Sequence, residues 1–193
     1  MRLTFVTFAA SLLCASAGMA ETVDGKAARG LLFSPKGAEV TIVTDILSEK
    51  DAAILAEVGQ TQSYYGAIAI SPDEGILSNA TVAAANYHDV ANASRAALAG
   101  CNAAKTGASA CVIAAEIRPK DWEERALQLN VGATEAVRKD YRKGRGAKAL
   151  AVSASTGQWG IGKGDSADQD ALSACKSAAK ADDCRIVVAD RAK

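Results

Sequence analysis

The chain has 193 residues, 22 basic and 22 acidic, and therefore no formal net charge. It is 49% hydrophobic but only 5% aromatic, and 43 residues are alanine, so the apolar fraction comes from small side chains. These values fit one or two compact domains, exclude collagen-like, Pro-rich and strongly charged disordered chains, and give no general reason to expect nucleic acid or an anionic membrane as partner.

Residues 1–20 read as a secretory signal peptide: Arg2 is the positive start, Leu3–Ala15 is apolar or small, and Ala17-Gly-Met-Ala20 offers small residues before a cut. That run is shorter than the about 20 apolar residues a membrane span needs, and no later stretch is long enough. The expected mature chain is Glu21–Lys193, exported to the periplasm or beyond. Residues 21–63 form an N-terminal extension with a strand at Glu39–Val43 and a helix at Ser48–Val58. Ser48 is its N-cap and Gly59 its end.

Residues 64–193 contain a duplication. Ala67-Ile-Ala-Ile-Ser71 corresponds to Ala149-Leu-Ala-Val-Ser153, and each serine is followed four residues later by a glycine, Gly75 or Gly157. Residues 93–101 match 167–175, and 112–116 match 185–189. The first copy has about eight extra residues between its glycine and its helix. The repeats span about 64–120 and 147–193, with a connector at 121–146.

Each copy reads as strand, turn, strand, helix, strand, which makes the fold class α+β: two pseudo-symmetric units with helices on sheets. Return strands are expected at Ile76–Thr81 and Gln158–Ile161, and Val90, Ala93, Ala97, Leu98 and Cys101 share one helix face. In the connector, alternation of Leu127, Leu129 and Val131 predicts a strand, and a helix should run from Thr134 to Lys143 and stop at Gly144.

Export leaves four cysteines, Cys101, Cys111, Cys175 and Cys184. An even count in an oxidising compartment indicates disulfides, with Cys101–Cys111 and Cys175–Cys184 favoured among three connectivities. Each short loop would gain about 3 kcal/mol on the chain-entropy account.

Tyr65-Gly-Ala-Ile-Ala-Ile-Ser71, the Gly-x-Trp-Gly of Gly157–Gly160, and the Ala-Leu-x-x-Cys ending at Cys101 and Cys175 resemble a secreted bacterial domain family of unknown function, across roughly Tyr64–Asp190. Tyr64-Tyr65-Gly-Ala-Ile-Ala is also similar to short exported alphaproteobacterial proteins, some of which carry a 5-aminolevulinate synthase label. A chain this short has no room for that pyridoxal-phosphate enzyme. The resemblance implies architecture and compartment, and brings no catalytic residues.

Four further features bear on function. Gly157–Gly164 matches most of a P-loop, but Gly164 stands where a Ser or Thr must hold magnesium, so a structural hairpin is expected. The sole histidine, His88, could be a general base oriented by Asp89, although Asp89 is equally suited to cap the next helix. Arg138, Lys139, Arg142, Lys143, Arg145 and Lys148 form an anion-binding candidate with Tyr141 as a stacking surface, or simply a cationic helix end. Trp122 and Trp159 read as core anchors. The function expected is an exported, disulfide-stabilised, non-enzymatic binding or envelope module without metal or cofactor. The alternatives are an anionic glycan or phosphate binder at 138–148 and an envelope hydrolase using His88.

Overall fold

The computed structural model describes residues 22–192; the signal peptide read over 1–20 lies outside them. Helix α1 (Gly25–Leu31) is followed by β1 (Ala38–Ile42) and α2 (Glu49–Gln60). The first unit continues with β2 (Gly66–Ile70), β3 (Val82–Ala84), α3 (Val90–Ala104) and β4 (Val112–Pro119). The second comprises α4 (Val131–Lys139), β5 (Lys148–Ser153), β6 (Trp159–Lys163), α5 (Ala167–Ala179) and β7 (Cys184–Asp190). The fold is α+β, with two antiparallel sheets ordered β1-β4-β2-β3 and β6-β5-β7. The units share the order hairpin partner, central strand, last strand, and the register slips at matching places, Ile68/Ala69 and Leu150/Ala151.

Strand alternation sorts residues by size. In β2, Ala67 and Ala69 face α3, where they meet Ala93, Ala97 and Cys101. Ile68 and Ile70 face the other way, toward Leu55 of α2. In β5, Ala149 and Ala151 meet Ala167, Ala171 and Cys175 of α5, while Leu150 and Val152 pack with Ala133 and Val137 of α4. Each sheet is therefore a middle layer, with a close helix on its alanine face and a more distant one on its branched face. The sequence match starts at the strands, but α2 and α4 hold corresponding places as well.

Close approach also requires glycine. A Cβ on Gly160 would lie 2.6 Å from the Ala171 carbonyl and 2.7 Å from Ala174 Cβ, and one on Gly162 would overlap the Ala167 carbonyl. The run Gly157–Gly164 is thus a hairpin strand under a helix, as expected. In the first unit the arrangement is inverted. Val82 occupies the register position of Gly160, and the helix carries Gly100 in place of Ala174, with its would-be Cβ 3.0 Å from Val82 Cγ1. One small residue per contact is kept, on opposite partners.

Both disulfides form as favoured. Cys101–Cys111 and Cys175–Cys184 join the close helix to the start of the last strand, each with Cα atoms 6.1 Å apart.

Several sequence expectations need correction. Ile76–Thr81 is a series of turns, and the return strand is the three-residue β3. The Glu74 carboxylate gathers this loop, accepting from the Ser78 hydroxyl at 2.6 Å and from the Thr106 and Gly107 amides at 2.8 Å each. Those bonds, led by Ser78, lower its pKa to about 2. Leu127 and Leu129 are buried but join no ladder, and Val131 already begins α4. That helix runs Val131–Lys139, not Thr134–Lys143, because Asn130 caps it by accepting from Ala133 N at 2.8 Å. Beyond it the chain turns Tyr141 into the core, where its hydroxyl donates to the Lys148 carbonyl at 3.0 Å. Gly59 does not end α2. It lies one residue inside the helix, where a Cβ would come within 2.8 Å of Val40 Cγ2. Helix α1 was not anticipated; Asp24 caps it, and Gly25 N donates to Asp190 Oδ1 at 2.9 Å.

Gly162→Ala should lower the urea-unfolding free energy of the oxidised chain by at least about 2 kcal/mol, because helix backbone cannot move aside. Gly30→Ala, where a helical Cβ meets nothing within 4 Å, should be neutral or stabilising by up to about 1 kcal/mol. Equal losses for the two variants would contradict the packing argument.

Candidate functional site

The units meet at a buried polar joint. His88, between β3 and α3, is 4% exposed. Its Nδ1 accepts from Asn130 N at 3.2 Å, and Nε2 lies 3.3 Å from the Gln158 carbonyl, to which it donates. These contacts define a neutral ring protonated on Nε2. Asn130 is fully buried, and its Nδ2 donates to the Asn86 and Gly157 carbonyls at 2.7 Å each. First unit, connector and second unit are thus bound through one histidine and one asparagine. Gly157, at φ +71°, has no room for a Cβ beside the Asn86 carbonyl.

Burial lowers the His88 pKa to about 4, against the Gln158 hydrogen bond and Asp89, which raise it. Both ring nitrogens are held by backbone groups, so no side-chain acid or hydroxyl shares the proton that a general base must pass. Asp89 caps α3 by accepting from Asn92 N at 2.7 Å. His88 is therefore a joint residue, and its geometry supplies no base for hydrolysis.

Beside the joint lies a cavity of about 190 Å³. Leu127, Val152 and Val187 form an apolar floor, while Asp89, Arg125 and Arg185 supply charge at its walls. Arg125 is fully engaged: it donates to the Leu31 carbonyl at 3.0 Å and to Glu123 Oε1 at 2.8 Å, and it stacks 3.8 Å from the Phe33 ring centroid. Arg185 is exposed and has no hydrogen-bond or ion-pair partner among the described residues.

The six cations do not converge. Arg138 points inward and donates to the Leu32 and Phe33 carbonyls at 3.2 Å each. Lys139 pairs with Glu135 at 3.2 Å, Lys143 with Asp140 at 2.9 Å, and Lys148 lies 3.9 Å from Asp190. Arg142 and Arg145 remain exposed without partners among the described residues. Tyr141 is fully buried, so the stacking role read for it does not hold. Both tryptophans are half-buried: Trp122 beneath the Arg118 guanidinium at 4.0 Å, Trp159 against the second unit's core and over Gly132. Among the described residues no His/Cys/Asp/Glu group could hold a metal, and no helix is long and apolar enough to cross a membrane.

Asn130 and the cavity were missed from sequence. The signal for Asn130 was an N-cap residue three positions before Ala133; the cavity has no local signature. Neither a protein-family model, nor a curated protein, nor a solved structure matches the chain.

The joint gives a pH prediction. His88 binds its proton less readily folded than unfolded, so stability is full above the unfolded pKa of about 6.5 and falls as pH drops toward 4. The loss over that window should be on the order of 3 kcal/mol by denaturant titration. As the chain has one histidine, His88→Gln should flatten the profile between pH 6.5 and 5. An unchanged slope in that variant would refute the assignment.

Proposed function

We propose that this chain is an exported binding module, built by tandem duplication, whose ligand site is the cavity between its two units. The observation that carries this reading is the cavity itself. An apolar floor lies beside charged side chains at the junction of two packed units, where ligand sites commonly form. At about 190 Å³ it falls below the range of about 300–1,000 Å³ for drug-sized ligands, so it suits a small molecule or a single group of a larger one. Two paired disulfides and the apolar leader support export, and the shared strand order and cysteine positions support duplication. Membership in the secreted bacterial family that the Tyr-Gly-Ala-Ile-Ala and Gly-x-Trp-Gly motifs resemble fits the same reading.

Two measurements test it. Expressed whole in a bacterium, the chain should be recovered from the periplasm or medium, beginning at Glu21 and carrying no free thiol; a cytoplasmic, reduced product would reject export. A fragment screen on that oxidised protein, read by amide chemical shifts, should give hits clustering at His88, Gln128, Ala154 and Arg185. Hits confined to other surfaces would reject the cavity as the site.

A further inference from the structure

The duplication supplies an internal comparison. In the first unit, the last rung of β2 and β4 pairs Ile70 with Val112, and the corresponding rung of β5 and β7 pairs Val152 with Arg185. Directly opposed residues share a face of the sheet. In the first unit an apolar cluster covers this end: Ile70 is buried and packs with the half-buried Val112, Leu47 and Ile76. In the second, Val152 is buried, Arg185 replaces the valine, and the space above the rung is the cavity. A half-buried apolar position in one unit is thus a charged wall in the other.

We infer that the cavity takes a small carboxylate, its apolar body resting on Leu127, Val152 and Val187 and its anionic group held by Arg185. This deepens, and rests on, the reading of the cavity as the ligand site. The other charged or titratable groups at its walls are already engaged. Asp89 caps α3, Arg125 is bound to Glu123 and the Leu31 carbonyl, and both nitrogens of His88 meet backbone. Arg185 keeps its donors available, and a guanidinium matches a carboxylate with two parallel hydrogen bonds. The three apolar side chains beneath suit a short hydrocarbon or aromatic body, so a monoanion that carries one is selected over inorganic phosphate.

The test uses hexanoate and benzoate, each against its primary amide, with the oxidised chain and amide chemical shifts as readout. Both acids should shift resonances of Ala154 and Arg185 and bind at least tenfold more tightly than their amides. Arg185→Gln should remove that preference. Arg185→Val, which restores the first unit's rung, should abolish acid binding while leaving the unfolding midpoint unchanged or raised. Acids and amides binding alike, or a preference that survives Arg185→Gln, would overturn the carboxylate assignment and leave the cavity as a site. No binding by either acid or amide would overturn both. Shifts equally strong with inorganic phosphate would reduce the site to a surface cation and also overturn the inference.

Discussion

The whole structure depends on how closely α3 and α5 lie against their sheets. Alanine on both surfaces, with glycine where backbones come nearest, brings each helix down onto its strands. Such contacts gain density rather than area, since an alanine removes far less apolar surface from water than a leucine does. The large side chains are therefore on the opposite face, where Ile68, Ile70, Leu150 and Val152 meet the second helix layer. The disulfides cross-link the thin side, tying each close helix to the strand that follows it. In a chain with 43 alanines, covalent closure offsets what its alanine faces lack in hydrophobic area.

Close packing within each unit leaves the contact between units to polar chemistry. Asn130 sits in the connector, yet its side chain holds backbone carbonyls from both units as well as the first turn of α4. A buried amide with all these partners defines one arrangement, because any shift of one unit strands a donor away from water. His88, from the first unit, adds a bond to the connector and one to the second unit and must stay neutral to do so, since a protonated Nδ1 would face the Asn130 amide donor to donor. The joint is thus specific and acid-sensitive for the same reason. Beside it, on the face where α4 leaves the end of β5 and β7 uncovered, the cavity remains.

What the sequence disclosed followed from local pattern. Alternation in Ala67–Ile70 and Ala149–Val152, the helical face ending at Cys101, the Ser48 and Asp89 caps and the short cysteine loops are all written within a few residues. The misreadings share a different cause, that tertiary partners decided. Leu127 and Leu129 alternate because they reach into the second unit's core from an irregular segment, not because a strand lies beside them. Gly59 looked like a helix stop, and it is a contact with Val40 from a distant strand. The loop at 76–81 reads as a strand because nothing local shows that Glu74 reaches Thr106 and Gly107. The cations at 138–148 read as one patch from their spacing, but Arg138 is drawn inward by the carbonyls that follow α1, a helix that local pattern does not announce.

Two units with the same strand order and similar helix packing also show which positions are bound by the fold. The exchange of Val82 and Gly100 for Gly160 and Ala174 keeps one glycine at each helix–strand contact, so it tracks packing. The exchange of Val112 for Arg185 does not. It puts a charge where the other unit has a hydrophobic side chain, and among the described residues that charge has no hydrogen-bond or ion-pair partner. A compensated difference is a repacking; an uncompensated one leaves a cavity at the joint of the two units, bounded by a charge that packing alone does not require.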